Sequence, residues 1–194
     1  GSDASSIFGW SNYNTPLSTY MQKITDNVSI VSKEKQAIFD RGHILEPFLK
    51  AMFERDYGFK VSEKEQTVHP EHDFIRGHFD GVIESENAIV EFKTADNSSN
   101  NKNKWGEQLS DDIPTQYLLQ THHYLLTADK YDKAYVPVLH INHFTLQTLT
   151  NLVKKYGVDL SIIDDIDISL KLFIVNRNPI IESKMIAKYV EFWN

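Results

Sequence analysis

Cysteine is absent from all 194 residues of the chain, which removes disulfides, thiolate zinc sites and cysteine-held iron–sulfur clusters from consideration. Any metal must then be held by carboxylate, carbonyl, imidazole or water. Long apolar runs are missing too, since charge breaks every hydrophobic stretch well short of the roughly 20 residues a membrane-crossing helix needs. No charged-then-apolar leader opens the sequence. The expectation is a soluble protein of the cytoplasm that does not engage a membrane, although Gly1 need not be the true start of the gene product. Positive charge is also in deficit. With 20 Lys and Arg against 27 Asp and Glu, the formal charge is −7 and the pI about 5.6. That balance argues against a uniformly basic surface for a polyanion. It does not exclude a local one, because acids gathered in one site leave the cations free to line a substrate path.

What is present suffices for a core. A content of 41% hydrophobic and 12% aromatic residues supports one compact domain, and the length is too small for two full-sized ones, so residues 1–194 are expected to form a single unit. No internal repeat occurs, and the only low-complexity stretch, Asp96 to Lys104, reads as a polar loop. From Lys33 to Arg55 apolar residues recur at helical spacing, with Leu45, Phe48, Leu49, Met52 and Phe53 in one stripe and Gly58 as a stop signal. Pro47 falls in a first turn or at a kink. Phe59 to Val61 is extended, and Phe74 to Thr94 reads as a β-hairpin turning at Glu84 to Asn87. Gln116 to Leu126 and Met185 to Trp193 have helical patterns, while Tyr135 to Ile141 and Lys171 to Val175 read as strands. Strands bracketed by helices predict an α/β sandwich with a mixed sheet.

The hairpin carries the chemistry. Glu91 and Lys93 are two residues apart, so a strand projects both from one face and Ala88, Val90 and Phe92 from the other, with Asp80 brought alongside by the partner strand. A hard divalent cation takes several oxygen ligands, and two carboxylates with a backbone carbonyl, here that of Phe92, supply them without a dedicated cage. Asp80 and Glu91 would hold the ion, and Lys93 could orient or deprotonate a water beside a scissile phosphate. Taken alone, Asp80 is equally a turn cap, and Glu-x-Lys a solvated pair on an amphipathic strand.

The runs His78-Phe79-Asp80-Gly81-Val82-Ile83 and Val90-Glu91-Phe92-Lys93-Thr94 resemble the PD-(D/E)xK nucleases, with Asp80, Glu91 and Lys93 in the three motif positions. Three further segments resemble the phage λ exonuclease-like (YqaJ) branch of that superfamily: Gly1-Ser2-Asp3-Ala4 through Phe8-Gly9-Trp10-Ser11-Asn12-Tyr13, then Arg41-Gly42-His43-Ile44-Leu45-Glu46-Pro47, then Pro114 to Tyr124 with Tyr117, Gln120 and Tyr124. These motifs run in order from the first residue to about Tyr124.

The resemblance implies a restriction-endonuclease-like core, a mixed central sheet flanked by helices. It implies a magnesium-dependent deoxyribonuclease, with manganese able to substitute, acting as a 5′-to-3′ exonuclease on duplex DNA with free ends in phage-type recombination. A homo-oligomer, a trimer among the options, a single-strand annealing partner and a bacterial or phage-infected cell follow in the same way. Glu46 would be a helical acid facing the metal directly or through water; without the resemblance it is a surface acid, yet it shares a helix side with Leu49 and Phe53. Gln120 would position the attacking water or Lys93. Ser2 corresponds to a serine that contacts a terminal phosphate, and its structural alternative, shared with Asp3, is a helix N-cap. Two departures stand out. The arginine that relatives carry shortly before the opening segment has no counterpart in these residues, and His78 stands where Ser is common, though a histidine can still donate to phosphate.

The His122-His123 pair cannot readily share an ion, because adjacent helical residues point about 100° apart, and is expected to be structural or solvent-facing. Phe8, Trp10 and Tyr13 could stack on bases or pack on the core. An endonuclease on the same core and a non-catalytic DNA-binding or scaffold module are the alternative functions.

Overall fold

The stripe Leu45, Phe48, Leu49, Met52 and Phe53 is buried, none of its members more than 3% exposed, because one face of a long helix lies against a sheet. The computed structural model describes residues 1–11, 13–25, 33–63, 66–98, 104–163 and 168–193. Asn12 of the opening segment and residues 99–103 of the polar loop lie outside them. Six α-helices are described: α1 (Ala4–Ile7), α2 (Pro16–Ile24), α3 (Lys33–Tyr57), α4 (Thr115–Thr127), α5 (His143–Tyr156) and α6 (Pro179–Trp193). The strands are β1 (Thr67–Val68), β2 (Arg76–Gly77), β3 (Gly81–Ile83), β4 (Ala88–Val90), β5 (Lys93–Asp96), β6 (Lys133–Ile141) and β7 (Leu170–Asn176).

The main sheet is mixed. β3 and β4 pair antiparallel with Gly81 opposite Val90, β4 and β5 run parallel to β6, and β7 pairs antiparallel with β6. On one face, α3 and α5 bury Phe53, Leu149 and Val153 against Val90, Phe92, Tyr135 and Leu139. Phe53 meets Tyr57, Phe59, Phe92 and Tyr135 with ring centroids 5.1 to 6.4 Å apart, contacts each contributing about 0.5–1.5 kcal/mol beyond area burial. On the other face α4 packs Leu125 over Ile89, Val136, Val138 and Phe173. The outer side of α4 is covered in turn by α1 and α6 through Ala4, Ile7, Leu126, Met185 and Tyr189. The expected α/β class with a mixed sheet between helices is the one observed.

Several expected bounds shift. The stretch Phe74 to Thr94 is not one hairpin. Arg76–Gly77 pairs with Thr67–Val68 in a separate two-stranded sheet, and only Gly81–Ile83 with Ala88–Val90 forms the hairpin, turning through a 3-10 turn at Glu84–Glu86 and Asn87 in the left-handed region at φ 48°. The strand expected over Ala88 to Thr94 breaks at Glu91 and Phe92, and β6 explains the break. Val90 faces Tyr135 and Lys93 faces Val138, so the register continues unchanged across the gap. Glu91 donates its N–H to the Tyr135 carbonyl at 3.0 Å, and in a parallel ladder the next bond would come from residue 137 to the Glu91 carbonyl. Residue 137 is proline, which has no N–H. Pro47 lies in the interior of α3, which overturns the first-turn alternative. The closing helix starts at Pro179, six residues earlier than its apolar pattern implied.

Candidate active site

Asp80 enters the site from the start of β3. Its N–H donates to the Val90 carbonyl at 3.1 Å, and its Oδ2 accepts the Phe92 N–H at 2.6 Å. Gly81 beside it is required by close approach, since a Cβ there would stand 2.5 Å from Val61 Cγ1 and 2.9 Å from the Ser62 carbonyl oxygen. The Asp-Gly pair thus has a packing reason as well as a chemical one. Because residues 91 and 92 keep the extended register of β6, the Phe92 carbonyl leaves the backbone on the same edge as its N–H, beside Asp80.

Glu91 and Lys93 project together toward α4, as period two requires, while Val90 and Phe92 enter the core below. Lys93 Nζ lies 2.6 Å from Glu91 Oε1. The same oxygen accepts from Gln120 Nε2 at 3.0 Å, and Gln120 donates also to the Tyr124 hydroxyl at 2.8 Å. Glu91 is only 5% exposed and its other oxygen, Oε2, is buried with no hydrogen-bond partner among the described residues. A carboxylate oxygen left in that condition is costly unless a cation or donor reaches it. Lys93 Nζ also stands 5.3 Å from the centroid of the Tyr117 ring.

Charge is crowded here. Burial first, then Glu91 and Glu46, pushes the Asp80 carboxyl up to about 8, against the opposing pull of Lys93 and the Phe92 N–H. Glu46, half-buried on α3, is raised mainly by burial, with His43 and His78 pulling it down and Glu91 pushing it up; His43 Nδ1 is 4.0 Å away. Burial alone would lower the Lys93 ammonium, yet the adjoining Glu91 carboxylate reverses that and leaves it raised. Among the described residues no three His, Asp or Glu side chains are gathered closely enough to hold an ion by themselves. A cation at this point would draw on Asp80, Glu91 and a backbone carbonyl, a donor set that fits a hard divalent ion and would partner the buried Glu91 oxygen.

The other expected residues fall at varying distance from this centre. Ser2 is exposed at the entry to α1, and Asp3 occupies the N-cap without a side-chain cap bond, pairing instead with Lys23 at 2.7 Å. Gly1, next to Ser2, packs on the Tyr124 ring, which ties the opening segment to the Gln120 network. His78 is exposed, two residues before Asp80. His122 and His123 are both buried, so the solvent-facing option is withdrawn. His123 bridges the Tyr189 hydroxyl and the Arg76 carbonyl, and burial lowers it to about 3. Phe8 packs against Tyr189, whereas Trp10 and Tyr13 are 59% and 83% exposed. Sequence reasoning missed Pro137 and Trp105. The proline was visible inside a strand, a placement that demands an explanation, but its alignment with Glu91 and Phe92 depends on strand pairing.

Three solved structures share the fold: an alkaline exonuclease (LHK-Exo) from Laribacter hongkongensis, at TM-score 0.59 and 13% identity over 99% of this chain and 84% of that one; the same enzyme in complex with dAMP, at TM-score 0.62, 14% identity and the same coverage; and a phage related exonuclease from Haemophilus somnus 129PT, at TM-score 0.56 and 17% identity over 91% of this chain and 75% of that one. The fold is thus the restriction-endonuclease-like one found in exonucleases. Residues 1–131 match the model of the YqaJ-like viral recombinase domain, and the chain belongs to that family. It is 36% identical over 141 residues to the uncharacterized protein YqaJ of Bacillus subtilis (strain 168), a match covering 72% of this chain and 42% of that relative's length. No helix among the described residues is long and apolar enough to cross a membrane.

Proposed function

We propose that the chain is a divalent-metal-dependent deoxyribonuclease that degrades duplex DNA from free ends in the 5′-to-3′ direction. The observation that carries the reading is the Glu91 carboxylate, with Lys93 Nζ 2.6 Å from one oxygen and the other oxygen buried with no hydrogen-bond partner among the described residues, beside an Asp80 carboxyl that feels both charges. Magnesium, with manganese able to substitute, would be held by Asp80, Glu91 and the Phe92 carbonyl, with Glu46 joining directly or through water. Bound there, the ion neutralises charge developing on the scissile phosphate and acidifies water.

The chain's own groups do the rest. Lys93 holds the attacking water and offers positive charge to the phosphate. Gln120 fixes the Glu91 carboxylate from the α4 side. Ser2 and His78, both exposed, would donate to the backbone phosphates of the bound end. The reading takes residues 1–194 as one nuclease domain. It takes the active form as a homo-oligomer, a trimer among the options, handing its product strand to a single-strand annealing protein. Family membership and the exonuclease folds of the structural neighbours support it. The dAMP bound by LHK-Exo is consistent with a nucleotide product in a fold of this kind.

The test is cleavage of linear and covalently closed circular duplex, with and without magnesium, by the wild type and by Lys93→Ala. Loss of the linear form alone, dependent on metal and reduced roughly 10²- to 10⁴-fold in the variant, is expected. Cutting of the closed circle would convert the assignment to an endonuclease, and equal metal-independent traces in both proteins would leave a DNA-binding scaffold.

A further inference from the structure

Lys93 reaches the site on a long, flexible stem, and its ammonium has few contacts. Nζ donates to Glu91 Oε1 at 2.6 Å, an oxygen that also accepts from Gln120. One such bond fixes a distance and leaves a side chain rich in rotamers free to swing about it. The second contact is a ring. Nζ lies over Tyr117, 5.3 Å from its centroid, inside the roughly 6 Å over which a ring quadrupole attracts a cation. Other lysines also lie over rings, but those rings are one or two residues away along the chain. Among the described residues, only the Lys93 contact joins separate elements, β5 and α4. It is also the drier one, since the Lys93 side chain is 17% exposed against 57% for Lys130, and the attraction grows with desolvation.

Tyr117 is itself held. It sits in the first turn of α4, and Trp105 stacks on it with centroids 5.4 Å apart and planes 26° from parallel. Trp105, 6% exposed, rests on Phe173 at 5.2 Å and meets His140 at 5.5 Å with planes 88° apart. The loop that carries Trp105 is tied down, because the Gly106 N–H donates to the Asp112 carbonyl at 2.7 Å and Lys171 donates to the Gly106 carbonyl.

We propose that Tyr117 is a positioning residue for Lys93: its ring face, braced by Trp105, is the second anchor that sets the direction of the ammonium. An ammonium carries three N–H donors. Glu91 takes one and the ring draws the cation toward α4, so a remaining donor is aimed at the attacking water or a phosphate oxygen. The contribution to cleavage rests on the nuclease reading, whereas the anchor itself stands without it. The role makes two demands that simple filling of space does not. It needs the electron-rich face of the ring, and it does not need the hydroxyl.

The experiment compares the full chain with Tyr117→Phe, Tyr117→Leu and a chain carrying pentafluorophenylalanine in place of Tyr117, which keeps the shape of the ring and reverses its quadrupole. The first readout needs neither metal nor DNA. In protein labelled with ¹³C-lysine, the ε-methylene protons of Lys93, assigned by their loss in Lys93→Arg, should be shifted upfield by the ring current in the wild type and in Tyr117→Phe, and should return to the ordinary lysine position in Tyr117→Leu. The second is magnesium-dependent cleavage of linear duplex at equal folded fraction. Tyr117→Phe should stay within about twofold of wild type, while the leucine and pentafluorophenylalanine chains should be roughly tenfold slower at saturating DNA with KM unmoved. In a Lys93→Ala background Tyr117→Leu should cost nothing further. Absence of the upfield shift in the wild type, equal rates with the fluorinated and natural rings, or a phenylalanine variant as slow as the leucine one each overturns the proposal. A ring-shifted Lys93 in a chain that never cleaves would retain the anchor and sink the nuclease reading, whereas cleavage indifferent to the ring would do the reverse.

Discussion

Pro137 lies on β6 in the register position opposite Phe92, between the pairs Tyr135 with Val90 and Val138 with Lys93. Its missing N–H opens the ladder at the Glu91 carbonyl on the β6 edge, one residue before the Phe92 carbonyl that leaves toward Asp80 on the opposite edge. Pro137→Ala restores a donor there. The regained hydrogen bond contributes about 0.5–1.5 kcal/mol and the lost proline rigidity takes away about 0.4–1 kcal/mol, so melting temperature should change little. Cleavage and magnesium affinity should fall roughly tenfold, because the closed ladder commits the Glu91–Phe92 backbone to the strand. Unchanged magnesium dependence would make the break a tolerated irregularity.

Asp80 ties stability to pH in the opposite sense from an ordinary surface acid. Its carboxyl is pushed up from 3.8 to about 8, by burial before all else. A group raised on folding binds its proton more tightly in the native state, so its contribution is complete below about pH 4 and is lost as pH climbs to about 8. Metal-free protein should therefore lose melting temperature between pH 5 and 8. Asp80→Asn can still accept the Phe92 N–H and has no proton to release, so it should flatten that slope. Added magnesium at pH 8 should raise the melting temperature of the wild type more than that of Asp80→Asn. A slope identical in both proteins would remove Asp80 from the account.

Residue patterning made much of this legible in advance. Period two placed Glu91 with Lys93 and apart from Val90 and Phe92, and the helical stripe from Leu45 to Phe53 named the core face of α3, because both signals are local and repeat along the chain. The ordered motifs located Glu46 and Gln120 near the same point. What stayed hidden depends on pairing between distant segments. The reassignment of Arg76–Gly77 to a second sheet, the rung removed by Pro137 and the stacking of Trp105 on Tyr117 each need two elements already in place. His122 and His123 were equally out of reach, since their burial comes from α4 lying between the sheet and the outer layer of α1 and α6.

Glu46 separates a metal-facing acid from a surface one. Among the described residues it makes no hydrogen bond to Asp80 or Glu91, yet the Glu46 and Asp80 carboxyls are both raised, by burial first and then by neighbouring acids. Glu46→Gln removes a charge whose neutral form the site already favours, so melting temperature should hold or rise slightly. If the side chain helps to hold the cation, the magnesium concentration for half-maximal cleavage should climb about 10- to 100-fold, with a smaller change in rate at saturating metal. A variant indistinguishable from wild type in both measures would return Glu46 to the helix surface.

Gln120 and Tyr124 form a chain in which only the first member touches the charged group. Gln120 Nε2 donates to Glu91 Oε1 at 3.0 Å and to the Tyr124 hydroxyl at 2.8 Å. Gln120→Leu deletes a hydrogen bond to a carboxylate, worth about 1.5–3 kcal/mol, and leaves Lys93 as the one partner described for that oxygen. The Glu91 carboxylate can then rotate about its remaining contact, and cleavage should fall about 10- to 100-fold at saturating substrate. Tyr124→Phe leaves the Gln120 to Glu91 bond in place and should reduce the rate only a few-fold. A purely structural role for the pair predicts otherwise: both variants would lower melting temperature while kcat stayed constant. The ordering of the two rates, read at equal folded fraction, therefore decides whether Gln120 positions the site or merely fills α4.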